Sequence, residues 1–270
     1  DAVYLFTDPA NDSSTSDAIT FSGSSSFPGV SLASTGDIDG DGYDDVAIGA
    51  QLFDGAAGSE TGAAHLIMTD GAWTTGSIYA IGDVESARFE GAVAGDHAGH
   101  SVDGAGDVDG DGYGDVLVGA DAEDTGGNNA GAAYLVYGGI SGGAGTAAVT
   151  FTGNAAEDMV GDQVLAAGDI DGDGYSDLFV PAYGADTNDT NAGDGFVFFG
   201  PLTGAVSLDP TAIDSSTTTY LYSETAYSSL GRGATSGDAD GDGLPDLLLG
   251  APNSDGTTAG AAYLMLGSSL

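Results

Sequence analysis

The chain has 270 residues, no cysteine, 48 glycines and a formal charge of −40 from 42 acidic and two basic side chains, Arg88 and Arg232. So acidic a surface repels nucleic-acid phosphates and anionic membranes, which excludes both as expected partners. Without cysteine or lysine there is no disulfide staple and no thiol or amine nucleophile, and no apolar run reaches the ~18 residues of a membrane-crossing helix.

In chain order, the elements read as short strands between polar, glycine-rich turns. Ala2–Phe6 and Ala18–Ser22 match the later pair Ala133-Tyr-Leu-Val-Tyr and Ala148-Val-Thr-Phe, and read as the third and fourth strands of a preceding blade. A full unit follows. It runs through a short strand Val30–Ala33, the acidic nonapeptide Asp37-Ile-Asp-Gly-Asp-Gly-Tyr-Asp-Asp45, the apolar run Val46-Ala-Ile, a polar loop, Gly62-Ala-Ala-His-Leu and a weaker closing strand Ser77–Ile81. The second unit has Ser101–Asp103, the nonapeptide Asp107 to Asp115, Val116-Leu-Val, Gly131-Ala-Ala-Tyr-Leu and Ala148–Thr152. The third has Gln163–Ala166, Asp169 to Asp177, Leu178-Phe-Val, Gly193-Asp-Gly-Phe-Val and Thr218–Tyr222. The fourth has Gly233–Thr235, Asp238 to Asp246, Leu247-Leu-Leu and Gly260-Ala-Ala-Tyr-Leu, stopping after its third strand, Ala261–Leu266.

Steps of 70, 62 and 69 residues between nonapeptides, with four short strands per step, are the anatomy of propeller blades. The apolar run after each nonapeptide is continuous where a half-solvated strand would alternate, so both of its faces should be buried between stacked blades. No helical periodicity is evident. The expected fold is therefore all-β, one region spanning residues 1–270. Its blades of four antiparallel strands fall at 1–26 (partial), 27–96, 97–159, 160–229 and 230–270 (partial).

Each nonapeptide places carboxylates at positions 1, 3, 5 and 9 and glycine at 4 and 6. Alternating carboxylates in a tight loop suit Ca²⁺, which takes six to eight oxygen ligands. The expected ligands are the side chains of Asp37, Asp39, Asp41 and Asp45; of Asp107, Asp109, Asp111 and Asp115; of Asp169, Asp171, Asp173 and Asp177; and of Asp238, Asp240, Asp242 and Asp246. The backbone carbonyl at position 7, of Tyr43, Tyr113, Tyr175 and Leu244, completes each set, for about four Ca²⁺. A main-chain ligand explains why leucine is tolerated there. An EF-hand is excluded because it needs a glutamate at position 12, where this chain has Ile48, Val118, Val180 and Leu249.

The succession of Gly-Asp-x-Asp-Gly-Asp-Gly-Tyr-x-Asp, an apolar strand, Gly-Ala-Pro and Gly-Ala-Ala-Tyr-Leu resembles the FG-GAP repeat of integrin α-subunit propellers and their bacterial relatives. Only Gly250-Ala-Pro252 keeps the second signature in full; elsewhere it is Gly49-Ala-Gln, Gly119-Ala-Asp and Val180-Pro-Ala. The "FG" step is degraded to Phe27-Pro-Gly, Ala98-Gly, Val160-Gly and Leu230-Gly. The resemblance implies blades of a larger, typically seven-bladed propeller, cages serving structure at one rim and partners meeting loops at the other. The expected function is a non-enzymatic, calcium-stabilised extracellular or cell-surface propeller for adhesion or surface assembly, with a protein or glycan ligand. The alternatives are an accessory polysaccharide-binding region of a secreted hydrolase and a structural subunit of an extracellular filament or layer, self-assembling through blade edges.

No nucleophile elbow, zinc-protease motif or phosphate-binding loop is present, so no catalytic residue is assigned. His65 occupies the aromatic slot of a third strand and reads as packed. His97 and His100 stand in Asp96-His-Ala-Gly-His, which can hold Zn²⁺ with Asp96 or be a plain glycine-rich loop. Trp73 is a candidate sugar platform or a rim residue. Asn11 and Asn188 stand in glycosylation sequons. The cut blades at the two ends are expected to meet, either within one molecule or between successive molecules.

Overall fold

The computed structural model of the chain describes residues 2–5, 18–23, 29, 31–74, 76–212, 214–223, 225–253 and 259–270. The expectations for Phe6, Asn11, Phe27 and Val30 lie outside these. Short β-rich runs bounded by glycine form strands in five sheets among the described residues. The first sheet contains β1 (Ala2–Leu5), β2 (Ile19–Ser22) and β6 (Ile78–Ala80). The second contains β3 (Leu32–Gly36), β4 (Asp45–Ala50), β5 (Ala63–Ile67), β7 (Ala87–Glu90) and β11 (Gly143–Ala144). The third contains β8 (Val102–Gly106), β9 (Asp115–Ala120), β10 (Ala132–Val136), β12 (Val149–Thr152) and β16 (Gly204–Ser207). The fourth contains β13 (Leu165–Gly168), β14 (Asp177–Ala182), β15 (Asp194–Phe198) and β17 (Thr218–Tyr222), and the fifth β18 (Gly233–Gly237), β19 (Asp246–Ala251) and β20 (Ala261–Met265). Among the described residues, helix is confined to the single turn α1 (Ile81–Val84) and a 3-10 turn at Gly267–Ser269.

Each central blade is an antiparallel meander, such as β8-β9-β10-β12. The inner strands β3, β8, β13 and β18 stand side by side in chain order. Stacking leaves β9 and β14 buried along their whole length on both faces, which is why their apolar residues run consecutively. A separate apolar cluster fills each junction. Leu117, Leu135, Phe151, Phe196 and Phe198 meet between the third and fourth sheets, and Phe179, Leu230, Leu247 and Leu249 between the fourth and fifth.

The degraded signatures find their reason at these junctions. A Cβ on Gly119 would lie 2.1 Å from the carbonyl oxygen of Gly161 in the next repeat, so only glycine allows that approach. Ala98, Val160 and Leu230, which stand where the "F" of the motif would be, are all buried apolar plugs of blade junctions. Size is negotiable there; apolarity is not.

Two expectations are corrected. Ser77–Ile81 does not close its own blade: Ile78–Ala80 pairs in parallel with β2 of the preceding sheet. The closing strand is β7, antiparallel to β5, whose short Ala-Arg-Phe-Glu pattern buries only Ala87 and Phe89 and so carries a weak signal. The same loan recurs in β11 on β7 and β16 on β12. Each of the first three repeats thus lends a parallel outer strand to the blade before it. Of the two ways in which the ends are expected to meet, closure of a blade within one molecule is not formed among the described strands. β20 pairs with β19, and β2 already has β1 and β6 as neighbours, so no described strand links the first and fifth sheets.

Candidate functional site

The four nonapeptides fold alike because each carboxylate first serves its own backbone. Asp37 at position 1 accepts the N–H groups of Gly40 (2.6 Å), Asp41 (3.1 Å) and Gly42 (2.9 Å). Position 3 accepts from position 5, as Asp109 does from Asp111 at 3.0 Å, and position 5 accepts from position 7, as Asp111 does from Tyr113 at 3.0 Å. Glycines 4 and 6 take positive φ in every copy, for instance +79° at Gly110 and +92° at Gly112. These turns bring three of the four carboxylates of each loop together.

Position 9 opens the following strand and anchors the loop to the rest of the blade. Asp115 accepts the Val108 N–H with one oxygen (2.8 Å) and the Gly138 N–H, beyond the third strand, with the other (2.8 Å). Asp45 does the same with Ile38 and Thr69, Asp177 with Ile170 and Gly200, and Asp246 with Ala239 and Gly267. In the third and fourth sheets burial pushes these carboxyls up, Asp115 to about 7 and Asp177 to about 6, against the pull of their N–H donors. Asp45 moves the same way for the same reason. Asp246 is held below its ordinary value by the Gly267 and Ala239 N–H groups. Its own loop closes off solvent, but little protein is packed beyond it.

Carboxylate oxygens lie within 4.8 Å of one another in Asp37, Asp39 and Asp41; in Asp107, Asp109 and Asp115; in Asp169, Asp171 and Asp177; and in Asp238, Asp240 and Asp246. Asp45, Asp111, Asp173 and Asp242 belong to the same loops but stand outside these tightest trios. All donors are oxygens, which suits a hard cation. No ion pair among the described residues involves a cage carboxylate. Asp169 Oδ1 is buried with no hydrogen-bond partner, an orphaned acceptor that a cation would satisfy. The residues present therefore fit a metal.

The carbonyl of position 7 is the expected ligand, and its side chains join neighbouring cages. A Cβ on Gly40 of the first loop would lie 2.6 Å from Cε1 of Tyr113 in the second, and one on Gly110 2.5 Å from Cε1 of Tyr175 in the third. The Asp37 carbonyl accepts the Gly114 N–H (2.8 Å) and the Asp107 carbonyl the Ser176 N–H (2.9 Å). In the fourth loop Pro245 has no N–H to give, and Leu244 replaces the tyrosine. The recurrent tyrosine at position 7 was the available signal.

The other candidates are placed as follows. The Asp96-His97-His100 trio does not assemble: Asp96 is buried and accepts the Val93 N–H at 2.8 Å, while both histidines face Asp121. His65 is buried, paired with Glu85 and packed edge-on to Phe53. Trp73 packs its ring against Phe21 and Tyr79, at centroid distances of 5.5 and 4.8 Å. Asn188 is exposed, with its amide 3.4 Å from the Tyr220 hydroxyl.

Face-to-face blades with a recurrent oxygen cage at the tip of each inner hairpin define a repeat β-propeller of the integrin-like class. The FG-GAP repeat profile matches residues 28–67, 98–136, 161–198 and 230–265, more than half of the chain, and the chain belongs to the FG-GAP repeat family. It is similar to integrin alpha-5 of Xenopus laevis, 31% identical over 173 residues, which cover 60% of this chain and 15% of that protein. The chain thus spans a small part of its relative's length.

Proposed function

We propose that this chain is a non-catalytic, calcium-stabilised propeller region that acts at the cell surface or outside the cell, in adhesion or surface assembly. The observation that carries the reading is the fourfold cage, in which turns of backbone N–H groups aim carboxylates without any cationic side chain to neutralise them. Bound Ca²⁺ would supply that neutralisation. The chain's own residues do the rest: carboxylates at positions 1, 3, 5 and 9 and the carbonyl of position 7 would hold the ion, position 9 also ties the cage to two strands, and the side chain of position 7 tethers it to the preceding cage. Cages used in this way stiffen one rim and leave the loops at the other free to meet a protein ligand. The similarity to an integrin supports a ligand of that class and an extracellular setting.

The test has two parts. Metal analysis after dialysis against millimolar calcium is expected to find about four ions per chain, and empty loops would overturn the calcium reading. Binding of the immobilised protein to extracellular-matrix or cell-surface proteins is expected with calcium and lost with chelator. Full calcium loading without any such binding would overturn adhesion alone.

A further inference from the structure

The hairpin that carries the second cage at one end carries a different set of metal-ligating groups at the other. His97 and His100 precede β8, Asp121 follows β9, and Asp162 precedes β13 of the next blade. Asp121 Oδ1 lies 3.2 Å from His100 Nδ1 and 3.7 Å from His97 Nδ1. His100 Nε2 points to Asp162, 3.7 Å from its Oδ1. Ligand atoms of His100, Asp121 and Asp162 all fall within 4.8 Å of one another. Two of the atoms that face each other, His100 Nδ1 and Asp121 Oδ1, are buried and, although 3.2 Å apart, are not aligned for a hydrogen bond to each other or to another group. That combination is costly for a site with nothing to bind.

We propose that this rim holds one Zn²⁺, bound by His97 Nδ1, His100 Nδ1 and Asp121 Oδ1, with Asp162 as a positioning residue. Donors at 2.0–2.1 Å around a tetrahedral ion stand about 3.3 Å apart, close to the 3.2 and 3.7 Å that separate Asp121 Oδ1 from the two histidine nitrogens. Imidazole nitrogens select zinc over calcium, so this site and the cages divide the two ions by ligand chemistry. An ion on His100 Nδ1 leaves Nε2–H facing Asp162, the carboxylate–histidine arrangement that fixes the orientation of a metal-bound ring. Three protein donors leave the fourth position to water, on the rim opposite the cages. Because Asp162 comes from the next blade, the site also ties two blades together. The inference does not depend on calcium occupancy of the cages.

The experiment is a zinc chloride titration of the full chain by calorimetry, in millimolar calcium so that the cages are not available. One zinc per chain is expected, with affinity falling at least about tenfold in His100→Asn and in Asp121→Asn, and about tenfold in Asp162→Asn. X-ray absorption of the zinc-loaded wild-type chain is expected to show two imidazoles, and still two in Asp162→Asn; this reading holds even if a variant folds poorly. No zinc bound, zinc displaced by calcium, affinity unchanged in His100→Asn, or a spectrum without imidazole would each overturn the site.

Discussion

The second and fourth repeats carry the same cage spacing in different surroundings. In the second, β9 is buried along its length and the Asp115 carboxyl is pushed up to about 7. In the fourth, the central residue of the equivalent β19, Leu248, is 44% exposed, and Asp246 is held below its ordinary value. The inner hairpin differs too: pairing shifts between Gly104 and Gly106 before the second cage, whereas β18 and β19 pair without a shift up to Gly237 and Asp246. Covering a blade on both faces therefore changes the electrostatics of a loop whose own hydrogen bonds are the same. The cage is a local invention; its energetic setting belongs to its neighbours.

The largest expected effect is removal of calcium, which should abolish the difference between repeats by loosening all of them. Each site saturated at a hundred times its dissociation constant adds about 2.7 kcal/mol to the folded state. Thermal unfolding in excess chelator should thus fall well below that in 5 mM calcium, and equal midpoints would contradict a structural role.

Next in size is the core contrast. Leu117 and Leu248 occupy the same position of β9 and β19, one buried and the other half exposed. Leu117→Ala should cost about 2–5 kcal/mol by leaving a cavity, and Leu248→Ala no more than about 0.5 kcal/mol. Denaturant melts that gave equal losses would mean that the last sheet is covered in solution.

A smaller contrast concerns the cages themselves. Gly110 and Gly241 share positive φ, +79° and +81°, but a Cβ on Gly110 meets the Tyr175 ring, while one on Gly241 has open space. Gly241→Ala should cost about 1–2 kcal/mol from backbone strain alone, and Gly110→Ala measurably more. Their difference reads the loop-to-loop contact directly, and equal costs would show that Tyr175 simply moves aside.

The smallest effect is on pH. In the metal-free chain Asp115 and Asp177 prefer to be protonated when folded, with values raised to about 7 and about 6. Their unfavourable contribution is absent below the ordinary carboxylate range and grows as pH rises toward 7. Asp246, with a lowered value, has the opposite sign: it adds stability above the ordinary range and loses it in acid. Metal-free melting temperature should decline from pH 4 to 7, more weakly in Asp115→Asn; a rise across that window would show that the N–H donors outweigh burial.

Spacing alone was enough to locate the cages, the apolar second strands and the third strands, because each rests on local chemistry. Glycine at positions 4 and 6 forces the turn, alternating aspartates satisfy its N–H groups, and continuous apolar runs demand burial on both faces. Strand loans between blades were not legible. A parallel outer strand such as Ile78–Ala80 needs only backbone edges to pair, and β7 half-buries a short charged sequence that carries little signal. The partners of position 7 and of His100 were hidden for a related reason. Tyr113 meets a glycine 73 positions earlier, and His100 meets Asp121 when β8 pairs with β9 but Asp162 only when two blades stack. What a residue does for its own turn is written beside it in the chain. What it does for the next blade is decided by the angle and closeness at which two sheets pack, and that is a property of the whole stack.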